Sequence, residues 1–121
     1  MNIKRLPYEL TVCKVASLSA VDLGSGFFFI GKTDDELSLV CLTCSVPAQT
    51  LAREDGWRAF CVEGPLDFSL VGILSKISAV LADAGIGIFA VSTYDTDYVL
   101  VKEPDFECAA DALVAAGYGV I

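Results

Sequence analysis

The stretch that most constrains this chain runs from Ile86 to Lys102, IGIFAVSTYDTDYVLVK. An apolar run (Ile86, Ile88, Phe89, Val91) enters the polar cluster Ser92-Thr93-Tyr94-Asp95-Thr96-Asp97, and a second run, Tyr98 to Val101, leaves it. Two runs rich in β-branched and aromatic residues around a short polar tip predict an antiparallel hairpin. The tip holds two carboxylates and the hydroxyls of Ser92, Thr93 and Thr96 but no glycine, whereas tight hairpin turns favour Asn-Gly or Asp-Gly. Two readings stand at this point: a solvated turn, or a polar set held for contact with a ligand.

The flanking periodicity places the hairpin in a fold. Leu70, Ile73, Leu74, Ile77, Val80 and Leu81 recur at three- and four-residue spacing, predicting an amphipathic helix over 70–84 that stops at Ala84-Gly85. Pro104-Asp105 opens a second helix over 105–116, with Phe106, Ala109, Ala110 and Leu113 on its apolar stripe and Gly117 at its end. With Trp57–Glu63 as opening strand and Tyr118–Ile121 as closing strand, the order is β-α-β-β-α-β. That is the ferredoxin-like unit of the α+β class, an antiparallel sheet with its helices on one face.

The first half repeats the plan with its first helix missing. Leu10–Ala16, Phe27–Lys32 and Leu37–Cys44 read as strands, with Thr33–Glu36 as a turn between the last two. Ser45-Val46-Pro47 reads as the start of a short helix that Glu54-Asp55-Gly56 ends. At an offset of 61 residues Glu36–Val40 falls over Asp97–Val101, and Gly56-Trp57 over Gly117-Tyr118. Two tandem units are expected, 1–56 and 57–121. One strand is lacking, because Trp57–Glu63 would have to close the first unit and open the second, unless Tyr118–Ile121 is exchanged between them.

Bulk properties exclude several classes. A net charge of −8 and the absence of any basic patch beyond Lys4-Arg5 argue against nucleic acid and anionic membrane as partners. The longest uncharged stretch, Leu37 to Ala52, contains Pro47, Gln49 and several hydroxyls and is too short for a spanning helix. The first ten residues hold no apolar run of signal-peptide length, so a cytoplasmic protein is expected. Five cysteines then read as reduced thiols, mostly buried. Cys41-x-x-Cys44 sits in a strand pattern, where residues three apart face opposite ways, and the chain has no histidine; neither a metal nor a cofactor is expected.

The lack of histidine also removes Ser-His and Cys-His nucleophile pairs. Gly24-Ser25-Gly26 and Gly85-Ile86-Gly87 lead into strands, whereas a phosphate-binding loop must open a helix. An acid/base pair of Asp95 and Asp97 would need a burial-driven split that no pattern here provides. The chain is expected not to be an enzyme.

Binding is the better prospect. In a split β-α-β-β-α-β unit the first helix begins near the hairpin, which brings Asp67–Ile73 towards Ser92, Thr93, Tyr94 and Asp97. An α-amino acid's carboxylate suits the free N–H groups and dipole of a helix start, and its ammonium suits a side-chain carboxylate. Asp97 and Thr93 are the candidates for the ammonium. Gly72, read as lying inside the helix, costs up to ~1 kcal/mol there and so calls for a reason: close approach of a ligand or neighbouring subunit, or packing on the sheet. Asp67 or Ser69 reads as an N-cap, Phe68 as packing, and Trp57 and Phe27–Phe29 as core.

Gly64-Pro-Leu-Asp-Phe-Ser-Leu-Val-Gly-Ile-Leu74, Gly85 to Lys102 and Thr33-Asp-Asp-Glu-Leu-Ser-Leu-Val40 together resemble the ACT-domain family, in particular small bacterial tandem ACT-like proteins related to the ACT modules of a cytosolic arginine sensor. The resemblance implies a non-catalytic regulatory fold that binds a small ligand, commonly an amino acid, at an interface between ACT units. Carried across by motif, the ligand contacts fall on Leu70, Val71, Gly72, Ile73, Thr93, Tyr94 and Asp97. The sensor has an acidic residue at the position of Leu70, a departure that bears on which amino acid is bound. A homodimer or higher oligomer is expected, from the family and from a mean hydropathy of +0.62 in so small a chain. The other class in play is an assembly module without a small-molecule ligand.

Overall fold

A computed structural model describes residues 1–64 and 71–121. Its elements are β1 (Asn2–Arg5), β2 (Leu10–Lys14), β3 (Phe28–Lys32), β4 (Leu37–Leu42), β5 (Ala52–Val62), α1 (Ile73–Asp83), β6 (Phe89–Ser92), β7 (Asp97–Lys102), α2 (Phe106–Ala115) and β8 (Gly119–Val120). The chain divides into two units, Tyr8–Trp57 on the one hand and Met1–Pro7 with Arg58–Ile121 on the other. The division falls inside β5.

In the C-terminal unit the periodic stretch is helical as expected, and it buries the face its spacing marks. Ile77 and Leu81 of α1 and Phe106, Ala109, Ala110 and Leu113 of α2 are buried against Ile3, Phe60, Val62, Val99 and Val101 of the strands. Both helices therefore lie on one face, in an α+β ferredoxin-like arrangement, and they pack on each other. Phe60 and Phe106 stack at 4.7 Å between centroids, and the Arg58 guanidinium caps the Phe106 ring at 4.2 Å while bonding Glu103 at 3.4 Å. Each helix ends as its glycine predicts. Gly85 (φ 76°) and Gly117 (φ 99°) adopt the left-handed conformation, and the next N–H groups, Ile86 and Tyr118, bond the carbonyls of Leu81 and Leu113.

The missing strand is found in an unexpected place. The first residues, Asn2–Arg5, enter the C-terminal unit as β1, antiparallel to β5 through Ile3↔Val62 and parallel to β8 through Ile3↔Val120. The strand order is β6-β7-β5-β1-β8, so the closing strand meets β1 rather than β5, and β8 joins the sheet in parallel. Trp57–Glu63 likewise proves to be part of a longer strand. Ala52–Trp57 pairs with β2 in the N-terminal unit and Phe60–Val62 with β1 in the C-terminal one.

In the N-terminal unit the strand order is β3-β4-β2-β5. Cys13 and Val15 of β2 and its end, with Leu39 and Cys41 of β4, form a small buried cluster that Phe28, Ile30 and Val46 flank. The helix expected after Ser45 is not there: Thr43–Ser45 is a single 3-10 turn and β5 begins at Ala52. Glu54-Asp55-Gly56, read as a helix stop, is instead a bulge in β5. Between the pairs Leu10↔Trp57 and Val12↔Glu54 one residue of β2, Thr11, faces two of β5, Asp55 and Gly56, and Gly56 (φ 82°) supplies the left-handed residue such a bulge uses. A buried Thr11 hydroxyl holds the bulge by donating to Asp55 Oδ1 at 2.7 Å, and Arg53 grips the same carboxylate.

The internal repeat is real but its offset is 60 through the hairpins, not 61. The pairs Lys32↔Leu37 and Ser92↔Asp97 close the two hairpins, and 3-10 turns follow at Thr43–Ser45 and Glu103–Asp105. One extra residue then brings Gly56 and Gly117 to an offset of 61, which is the match the sequence offers.

A candidate ligand site at the hairpin tip

Thr93 explains the tip without glycine. Its N–H donates to the Thr96 carbonyl at 2.8 Å and its hydroxyl to the same carbonyl at 3.1 Å, while Thr96 N–H returns to the hydroxyl at 3.4 Å. The side chain closes the four-residue turn, and among the described residues no side-chain-bearing residue has a positive φ. Thr96 Oγ1 donates to the Val62 carbonyl at the end of β5. This bond sets the tip beside the point where the chain leaves β5 on its way to α1.

Asp97 sits directly opposite Ser92 and is half-buried. Its Oδ1 accepts the Ser92 hydroxyl at 2.7 Å. An ionised carboxylate has about four acceptor sites, so this bond orients the group and leaves the other oxygen for a cation. Tyr94 projects from the tip, 80% exposed. Beside the tip, burial first, then Cys61 and the Asp95 charge push the Tyr98 phenol up, which keeps it a neutral donor at physiological pH.

The other half of the set lies at the start of α1. Gly72 is the N-cap, with φ 80° and ψ 10°, and not an interior helical residue. A Cβ built there would meet only Lys76 Cε, at 4.0 Å, so the left-handed backbone and not crowding by a ligand or the sheet is what calls for glycine. The first intrahelical bond runs from Lys76 N–H to the Gly72 carbonyl. Ile73, Leu74 and Ser75 therefore present N–H groups without helical partners, and their cap residue brings no side-chain oxygen to them. Val71, just before the cap, is 88% exposed. The structure thus groups Thr93, Tyr94 and Asp97 in one turn and Val71, Gly72 and Ile73 at one helix start. Leu70, with Asp67, Phe68 and Ser69, lies outside the described residues.

Among the described residues no group of three or more histidine, cysteine or acidic side chains is placed to hold a metal ion, and no helix is long and apolar enough to cross a membrane. The two cysteines of the C-x-x-C part, Cys41 buried in β4 and Cys44 exposed, but Cys44 stands in the 3-10 turn after the strand rather than on its opposite face. A feature the sequence did not flag is an open cleft of about 670 Å³ in the N-terminal unit, beside the turn Thr33–Glu36. The signal for it was the Thr33/Thr93 correspondence at offset 60, which the charge match at 61 concealed.

A family model described as an ACT domain matches residues 52–115, and a second model, of an N-terminal domain, matches residues 9–49. The cytosolic arginine sensor for mTORC1 subunit 1 of Rattus norvegicus is 34% identical over 58 residues, which are 47% of this chain and 18% of that protein. The chain thus spans less than a fifth of the length of the curated relatives it matches. A crystal structure of a protein from Agrobacterium tumefaciens is 36% identical with a TM-score of 0.86, the match covering 99% of this chain and 91% of the other. The aspartate kinase of Clostridium acetobutylicum shares the fold, with a TM-score of 0.67 at 18% identity over 94% of this chain and 33% of that one.

Proposed function

The chain belongs to the ACT-domain family, whose members are regulatory and typically bind amino acids, and on that premise we propose that it is a non-catalytic cytoplasmic module of two ACT-like units, 1–56 and 57–121 along the chain with Met1–Pro7 contributing its strand to the second, whose hairpin tip and α1 start bind an amino acid where two ACT units meet. Two observations support this reading, a helix start at Gly72 whose cap brings no side-chain oxygen and a half-buried Asp97 held through one oxygen only. The first-turn N–H groups of α1 and its dipole attract a carboxylate, and the open oxygen of Asp97 attracts an ammonium. Leu70, Val71, Gly72, Ile73, Thr93, Tyr94 and Asp97 form the site in this reading. The likeness of residues 52–115 to an ACT domain and the match to an arginine sensor support it. Five free thiols suit a reducing compartment.

A second copy of the chain completes the site. Val71 and Tyr94 are large side chains left almost fully exposed at its rim, and an assembled dimer would cover them. The same exposure favours the alternative of an assembly module without a ligand, so one experiment addresses both. In a thermal-shift screen of the standard amino acids, a ligand at 100 times its Kd adds about 2.7 kcal/mol. At about 2.1 cal/mol/K per residue this raises the Tm by about 10 °C. No shift with any amino acid, together with a stable dimer in sedimentation, overturns the ligand reading in favour of assembly.

A further inference from the structure

We infer that the N-terminal unit carries a second amino-acid site, in the cleft between the turn Thr33–Glu36 and the segment that continues β2. The inference stands on the cleft and its lining and shares only the ligand class with the reading above. Its volume of about 670 Å³ lies in the range of small-molecule sites, about 300–1,000 Å³.

The turn on its wall is built as the C-terminal tip is. Thr33 N–H donates to the Glu36 carbonyl at 2.9 Å, and the Thr33 hydroxyl accepts Asp35 and Glu36 N–H at 3.2 Å. Beside it Val15 N–H, just past β2, donates to the Leu37 carbonyl at 3.0 Å, and the chain then runs as Ala16–Leu18 along the cleft. Where the C-terminal unit places a helix start at this point, the N-terminal unit has only a 3-10 turn of three residues. Backbone capture of a carboxylate is therefore lost, and cationic side chains take its place.

The lining carries both charges a zwitterion needs. Asp34 and Asp35 lie on the turn, and Lys14 and Lys32 on the strands that face the same space. Among the described residues none of these four side chains forms an ion pair with another. Opposite charges lining one cleft without pairing leave a carboxylate and an ammonium of a ligand both accommodated. Leu18 and Leu51, 43% and 64% exposed, line the same cleft and suit an apolar side chain. The chemistry points to an α-amino acid with an uncharged side chain.

The test is a set of amide proton–nitrogen NMR titrations of the full chain with each standard L-amino acid, read at two sets of amides. At least one uncharged amino acid is expected to move the signals of Val15–Ser17 and Thr33–Glu36. The double variant Lys14→Gln, Asp35→Asn is expected to weaken that binding by roughly tenfold or more while leaving any shifts at Thr93–Thr96 unchanged. Both replaced side chains are exposed, and an unchanged Tm reports that the variant is folded. Shifts confined to Thr93–Thr96 overturn this inference and leave the C-terminal reading intact. Shifts confined to the N-terminal cleft do the reverse. Cleft shifts that the double variant leaves at full strength overturn the assignment of the charges, and no shift in either set overturns both.

Discussion

Replacing Asp97 by asparagine isolates its charge from its shape. The Ser92 hydroxyl, 2.7 Å from Oδ1, keeps an acceptor in the asparagine carbonyl oxygen, so the cross-strand bond survives in neutral form. The loss is the difference between a charge-assisted and a neutral hydrogen bond, about 1 kcal/mol on a half-buried, turn-proximal group. With an unfolding entropy of about 0.25 kcal/mol/K for a chain of this size, the Tm should fall by about 4 °C or less. Binding is a different matter. If the second oxygen of Asp97 pairs with a ligand ammonium out of water, removing the charge costs about 2–5 kcal/mol, or roughly 30- to 5,000-fold in Kd. Calorimetric titration and thermal melting of the same variant, against whichever amino acid stabilises the parent chain, read both quantities. A variant that loses stability but keeps its Kd would show Asp97 to be a fastener of the hairpin only.

Gly72→Ala tests the helix cap: a left-handed alanine costs about 1–2 kcal/mol, so with open space around it the Tm should drop by about 4–8 °C, and an unchanged Tm would show that the cap relaxes to an ordinary conformation. Phe106→Ala removes the ring that Phe60 and Arg58 sandwich and should cost about 3–5 kcal/mol in denaturant melts; a loss below about 1 kcal/mol would mean that the C-terminal core does not depend on it. Cys41 gives an alkaline signature. Burial first, then Cys13, pushes its thiol from 9.0 up to about 11, so the folded chain holds a proton that the unfolded chain has released. The stability present below pH 9 is then lost as pH rises towards about 11, and Cys41→Ala should flatten that decline in pH-dependent melts.

What could be read from residues alone was whatever local chemistry decides. The stripe Ile73, Leu74, Ile77, Val80 and Leu81 marks one helix face whatever the partner, and the capping glycines at 85 and 117 end helices by their own backbone freedom. The losses came where a distant partner sets the outcome. Asn2–Arg5 carries one buried side chain, Ile3, between the polar neighbours Asn2 and Lys4, and nothing in four such residues announces that β5 and β8 will enclose them. Glu54-Asp55-Gly56 has poor strand propensity and became strand because Thr11 and Arg53 hold Asp55. The repeat slipped by one residue because Glu36 and Asp97 match in charge, while the feature both hairpins share is the turn-closing threonine. At the candidate site Gly72 reads as a costly residue inside a helix, whereas it stands before the helix as its N-cap, and its positive φ is a property of the backbone path that is not written in the neighbouring residues.

The pairing of β1 with β8 has a consequence for how the molecule is made. Asn2 meets Gly119 across 117 residues of chain. On a ribosome adding about 5–20 residues per second, the earliest strand waits on the order of 10 s for its last neighbour. The Tyr8–Trp57 unit is contiguous and complete as soon as its own residues emerge, whereas the unit with the β6–β7 hairpin gains its final strand only when residue 120 has cleared the exit tunnel. Until then one edge of β1 stands open for pairing with another nascent chain, and neighbouring ribosomes on one message bring such edges together at high local concentration.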